Sequence, residues 1–382
     1  MNNINQLAAA LDRQDYREAA RLLKQLQQES PQNPWVKFYM GRYYEIMKKG
    51  EVAEKLYRQL LRDTTNPKVV GAARQGLQRL EAAEQQRRQE AIAQSRSDPT
   101  SNEPGLLILE AVSPDHKPAA IQNISKILKV DPYTARMQLQ SRGWRLYRTG
   151  AIGELRVYTQ ELVQAGIPAF CATLADIQNL QVFRVQYFQS LSPQPVVICK
   201  NASEQLGSLS FNWSEVTSKI EGQLPLFIEI MDYAPHRRKD KFRHKEITQD
   251  YTQICDLHLP GRRCILRLCE QTYQFQQDRS FTQPSAELSP PASAKSPHKS
   301  AAYSLSQNTA RINWNSLIEA LSQQLPQVPI WSDFIPFAET ALDYTHLLSR
   351  LKPHIDLERK AETPWDPAFQ LYSGLVFLRN QS

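Results

Sequence analysis

The sequence is short of the features that mark membrane-spanning, secreted and nucleotide-dependent proteins. No run of eighteen or more apolar residues occurs among its 382 residues, so no transmembrane helix is expected. Residues Met1 to Leu11 are polar and lack the basic start and apolar core of a secretory signal. Cysteine is scarce. Cys171, Cys199, Cys255, Cys264 and Cys269 are an odd set without a regular framework, which fits a reducing, cytoplasmic setting. With only 13 glycines, the chain has no Walker loop, no G-x-G-x-x-G fingerprint and no G-x-S-x-G elbow. Cys255, His258, Cys264 and Cys269 fail as a zinc set, because structural zinc wants two close ligand pairs separated by a loop. Cys264 and Cys269, five apart in one apparent strand, point to opposite faces. His236, His244, His346 and His354 have acidic neighbours but no nucleophile turn. These absences predict no cofactor, no metal and no small-molecule substrate, and they weigh against catalysis. The formal charge of +7 is mild and permits contact with an acidic surface without requiring it. A hydrophobic fraction of 41% is slightly low for one compact globule, so part of the chain is expected to be solvated linker.

What the sequence does have is a 34-residue period at its start. Ala19 and Ala53 share that offset, as do Leu23 with Tyr57 and Leu26 with Leu60. Within each copy the spacing places a small residue and two larger apolar residues on one helix face. Gly41 and Tyr44 lie three apart. Pro31, Pro34 and Pro67 fall at predicted helix boundaries, where the missing amide proton costs least. Residues 68–93 continue as helix, with Val70, Ala73, Leu77 and Leu80 on one stripe; beyond Ala83 that helix turns polar, as a cap would. The pattern over residues 2–66 resembles tetratricopeptide repeats. It departs from them at Lys37, where tryptophan is usual although Trp35 is close by, and at Leu7, where glycine is usual. The resemblance implies helical repeats over residues 1–93 that hold a protein partner in a concave groove, with Tyr16, Trp35, Lys37 and Tyr44 as groove candidates. A plain helical bundle is the alternative.

Gln94 to Pro104 reads as a polar linker. Residues 105–178 then run strand, helix, helix, strand, helix, strand. Leu106–Val112 is a buried strand, Asp131–Pro132 starts a helix, and Gly143 and Gly166 end helices. The stretches Ile124–Leu128, Tyr133–Arg136 and Leu162–Ala169 are similar to the C-terminal domain of the bacterial ribosomal stalk protein and to the Clp protease adaptor. Both families bind proteins. A generic ferredoxin-like module with an architectural role is the alternative.

From Gln181 the pattern alternates. Six segments read as strands: 182–187, 196–199, 206–211, 226–231, 254–258 and 264–268. Trp314, Leu317, Ile318, Leu321 and Leu325 mark a later helix. Residues 181–275 with 310–326 resemble a pleckstrin-homology-like barrel closed by a helix, and a half-open antiparallel sheet is the rival. Residues 276–309, rich in Ser, Pro, Ala and Gln, are expected to be a disordered linker. Arg237, Arg238, Lys239, Lys241, Arg243 and Lys245 crowd one segment that suits an anionic membrane surface or a solvated hairpin tip. Nucleic acid ranks lower, because only Phe242 interleaves with these charges. Residues 327–382 carry Trp331, Phe334, Phe337, Trp365, Phe369 and Phe377, which predicts packing back onto the fold, with a partner surface as the alternative.

The expected fold is therefore multidomain, α and α+β: helical repeats, a small α/β module and a β-rich barrel with its closing helix. Over Pro225–Gly261 and Trp365–Phe377 the chain resembles cyanobacterial tetratricopeptide proteins, which implies a cyanobacterial source and a cytoplasmic setting but no activity. The expected role is a non-catalytic scaffold or adaptor with protein partners. The alternatives are peripheral binding to anionic lipid through residues 236–245 and an enzyme with an unfamiliar site.

Overall fold

A computed structural model describes residues 2–233, 242–278, 310–357 and 363–381, with backbone alone at 2, 227–233 and 242–249. The chain forms two compact units, Met1–Ser97 and Asp98–Ser382.

The first unit is five helices: α1 (Asn2–Asp12), α2 (Tyr16–Glu29), α3 (Pro34–Ile46), α4 (Gly50–Asp63) and α5 (Pro67–Ser95). Asn33–Pro34 and Asn66–Pro67 start α3 and α5 in the same way. Each Asn side chain accepts from a first-turn amide, and each Pro occupies a position whose amide would have no helical partner. In α2 the residues Ala19, Leu22, Leu23 and Leu26 are buried, and in α4 Ala53, Tyr57 and Leu60. On α5 the buried stripe is Val69, Ala73 and Gly76; the sequence placed its first member one residue late, at Val70.

The second unit is built in layers. A three-stranded antiparallel sheet, order β2-β1-β3, is made by β1 (Pro104–Leu109), β2 (Arg145–Ala151) and β3 (Ala169–Thr173). Helices α6 (Lys117–Leu128), α7 (Pro132–Gln138) and α8 (Ile152–Gln164) contribute to the core on one face of it, with Leu107 and Leu109. Leu106 and Ile108 enter a different core on the other face. Both faces of β1 are covered, which is why it reads as an unbroken apolar run. The short helix α9 (Leu174–Gln178) follows.

The larger sheet contains β4 (Gln181–Ser190), β5 (Val196–Lys200), β6 (Leu206–Ser210), β7 (Ser218–Tyr233), β8 (Phe242–Leu259), β9 (Cys264–Cys269) and β10 (Ile330–Trp331). Their order is β10-β7-β8-β9-β4-β5-β6, with β10·β7 and β9·β4 parallel. Helix α10 (Ala310–Gln324) packs Trp314, Leu317 and Leu321 on one face, against Val185, Phe188, Cys255, Leu257 and Leu266. The other face meets α11 (Phe334–Ala341) and α13 (Trp365–Arg379), between which lies the single turn α12 (Thr345–Leu348).

The expected barrel is not present among the described residues. Among the described residues the large sheet is open, mixed and ends at two different edge strands, β10 and β6. The helix expected to close a barrel instead covers one sheet face. The aromatic C-terminal stretch is the middle layer: every residue of α13 from Asp366 to Phe377 is buried. Its residues share one core with Leu106, Ile108, Trp144 and Leu146 of the small sheet side and with Ile220, Leu224 and Ile254 of the large sheet. Two sheets expected in separate modules are therefore joined through one helix. The linker expected at 276–309 falls outside the described residues from 279 onward.

Candidate functional site

The first unit concentrates its specific geometry around Tyr57. This ring of α4 is fully buried between two glycines. A Cβ on Gly41 of α3 would stand 2.7 Å from Tyr57 Cε1, and one on Gly76 of α5 would stand 2.5 Å from Cε2. The Tyr57 hydroxyl donates to Glu45 Oε2 at 2.8 Å, and Arg79 of α5 donates to both Glu45 oxygens at 2.8 and 3.0 Å. Burial, then the Glu45 carboxylate, pushes the phenol far above its ordinary range. One side chain thus fixes the approach of three helices, and a bidentate ion pair seals its polar end.

Helix α3 contacts α1 on one side and α5 on the other, so these three first-of-pair helices form a continuous face. The bond from Arg42 Nη2 to Asp12 Oδ1, 3.0 Å, ties α3 to α1 on that face. Trp35, Tyr39, Arg42 and Ile46 follow one another at helical spacings of four, three and four, so they form one stripe, half-buried throughout. Trp35 rests on Phe38 at a centroid distance of 5.7 Å.

Of the residues expected to line a groove, Trp35 lies on this stripe. Lys37 lies toward α4: its Nζ is 3.8 Å from Asp63 Oδ2 and 3.3 Å from Gln32 Oε1. Tyr44 packs with the Tyr57 cluster and edge-on to Tyr43 at 5.8 Å. Tyr16 is the first residue of α2, a second-of-pair helix, and is half-buried. Tyr39, Arg42 and Ile46 were not singled out from the sequence. Glu45 and Arg79, one of the two ion pairs, stand one 34-residue period apart.

A family model described as Tetratricopeptide repeat matches residues 10–77. The chain contains tetratricopeptide repeats. Comparison with curated proteins and with solved structures gives no match.

The basic segment is placed only in part. Arg237, Arg238, Lys239 and Lys241 lie outside the described residues. Arg243 and Lys245 belong to β8, in register with Asp232 and Ile230 of β7.

In the second unit a serine, a histidine and an aspartate meet. Ser373 Oγ of α13 donates to Asp256 Oδ2 at 2.5 Å and stands 3.0 Å from His258 Nε2. Arg267 forks the same aspartate, Nε to Oδ1 at 2.9 Å and Nη2 to Oδ2 at 2.6 Å, beneath the Phe369 ring. This is not the order of a hydrolytic triad, in which histidine lies between the acid and the nucleophile. Here the serine is in the middle, its hydroxyl hydrogen engaged in the bond to Asp256. All four residues are buried, with Ser373 and Asp256 at 0% exposure. Burial, reinforced by Arg267, lowers the His258 pKa to about 3, so the ring is neutral. The cluster anchors α13 to the large sheet. Burial also pushes the Cys199 and Cys264 thiols up to about 11, well away from a reactive thiolate. Among the described residues no group of three His, Cys, Asp or Glu is placed to hold a metal ion.

Proposed function

We propose that the chain is a non-catalytic protein-binding scaffold or assembly adaptor whose partner docks on the α1–α3–α5 face. The observation that carries this reading is the repeat match at residues 10–77 together with the Trp35, Tyr39, Arg42, Ile46 stripe on that face. Half-buried aromatic and Arg side chains supply contact area at low entropic cost and dominate protein interfaces. The test is affinity capture with full-length protein and with a Trp35→Ala, Arg42→Ala variant of unchanged unfolding temperature. A partner held by the parent and lost by the variant supports the reading. An identical partner list from both overturns it for this face.

A second reading, peripheral contact with an anionic membrane from the cytoplasm, is favoured by the register of the β7–β8 hairpin. The two strands stay paired from Ser218↔His258 to Tyr233↔Phe242. Strand β9 pairs only with Ile254–Leu259 of β8, and β10 only with Lys219 and Ile220 of β7. Among the described residues the rest of β7 and β8 is a two-stranded ribbon, with Arg243 and Lys245 near its far end; Arg237, Arg238, Lys239 and Lys241 lie outside the described residues. Each cation near such a surface contributes about 1 kcal/mol. Flotation with phosphatidylserine vesicles should be salt-sensitive and lost when Arg237, Arg238, Lys239 and Lys241 become Glu; vesicle binding indifferent to those changes removes this reading.

A further inference from the structure

Beneath the segment that follows α12, a partly open cavity of about 210 Å³ is walled by α9, α13 and residues 350–354. Among the described residues its polar lining is Gln178, Arg350, Lys352, His354 and Gln370, two cations and no carboxylate. Among the described residues neither Arg350 nor Lys352 joins an ion pair, and both are exposed at the rim. Lys352 Nζ donates once, to Ala202 O at 3.1 Å, and keeps further protons to give. Gln178 Nε2 donates to Arg350 O at 2.8 Å, which fixes the rim segment to α9.

The deeper groups are the informative ones. Gln370 of α13 is only 2% exposed, and its Oε1 has no hydrogen-bond partner. His354 Nδ1 is likewise buried and unpartnered. Its backbone is left-handed, φ +52°, a conformation a non-glycine residue adopts at a cost. Two residues lining this one cavity each carry an unpartnered buried polar atom, and an unsatisfied buried polar group costs about 1–3 kcal/mol. Burial, then the nearby Arg267, Lys352 and Arg184, lowers the His354 pKa to about 4; Arg267 is paired with Asp256 and Arg184 with Asp356 and Glu204, so the unpaired cations at the cavity are those of the rim. At neutral pH the ring is therefore a neutral hydrogen-bonding group. A side-chain amide turns either end toward a ligand without rearranging its neighbours.

We propose that this cavity is a binding site for a small phosphate-class oxyanion, with Arg350 and Lys352 supplying charge at the rim and Gln370 and His354 hydrogen-bonding the ligand at the floor. It is independent of the repeat surface and of the scaffold reading.

The test uses the full chain and inorganic phosphate, by equilibrium dialysis at constant ionic strength against chloride. Parent protein should bind saturably at one site. The rim variant Arg350→Glu, Lys352→Glu, whose side chains are solvent-exposed, should keep its circular dichroism spectrum and unfolding temperature while binding at least about tenfold more weakly. Gln370→Leu, which removes the floor amide at similar volume, should weaken phosphate binding without altering the rim. Absence of saturable binding by the parent, which leaves ordered water as the occupant, overturns the proposal. So does phosphate binding that persists unchanged in the rim variant.

Discussion

The tightest constraint on any one side chain in the first unit is the space around the Tyr57 ring. An alanine Cβ at Gly76 would sit 2.5 Å from that ring, and one at Gly41 would sit 2.7 Å from it. The ring cannot step aside, because its hydroxyl is held by Glu45 and Glu45 is held by Arg79. Gly41→Ala and Gly76→Ala should each destabilise the first unit by about 1–3 kcal/mol, the ordinary cost of overpacking. By contrast Gly71→Ala, in the same helix as Gly76, meets nothing within 4 Å and should be neutral or stabilising through helix propensity. Chemical denaturation of the three variants checks this; equal midpoints for Gly71→Ala and Gly76→Ala would contradict the clasp. The glycine at 41 was legible from the repeat pattern, but the one at 76 was not, because its role depends on a ring that reaches it from another helix.

Among elements, α13 decides the most. Its residues are buried all round, so it shows no amphipathic period and reads from sequence only as an apolar tail. It seats closely against β7: a Cβ on Gly222 would stand 2.6 Å from Phe369 Cε2. On the opposite wall, a Cβ on Gly374 of α13 would stand 2.8 Å from Ile177 Cγ2 of α9. Its polar anchor is Ser373, held by Asp256, and Asn380 beyond its end donates to Ser218 Oγ at 2.8 Å. Gly222→Val should displace the helix and expose the aromatic layer, seen as dye binding to apolar surface and loss of near-ultraviolet circular dichroism. Far-ultraviolet circular dichroism, dominated by elements that do not touch Gly222, should change little. Unchanged near-ultraviolet signal would show that the helix is not the keystone.

At the scale of the whole molecule the two units differ in how they respond to acid. The first unit, residues 1–97, contains no histidine, whereas the second contains His258 and His354. Both have folded-state pKa values below the ordinary 6.5, at about 3 and about 4. Unfolded chain therefore binds protons below 6.5 that the folded unit refuses. The sign follows: full stability is present above 6.5 and is lost progressively as pH falls toward the folded values. Between about pH 7 and about pH 5, where carboxylates change little, the second unit should lose stability and the first should hold. Hydrogen exchange read by mass spectrometry separates the two units, and His258→Phe should reduce the pH dependence of residues 98–382. Equal acid sensitivity in both units would refute this assignment.

The repeats were readable from sequence because their information is local: a period of 34 residues, small residues at helix crossings, and Asn–Pro starts at α3 and α5. The alternation of strands and helices over residues 104–173 was readable for the same reason, since each element carries its own apolar period and caps. What only the tertiary structure decided depends on partners far apart in the chain. Gln181 pairs in parallel with Cys264, and Lys219 with Ile330. These pairings leave the large sheet open, where the strand count alone had implied a barrel. Likewise Trp35 and Lys37 are two residues apart and equally plausible in sequence, yet one lies on the repeat face and the other is held by Asp63 of α4. A helix rotates by about 100° per residue, so a two-residue step moves a side chain to the other side, and only the packed neighbours say which side is the free one.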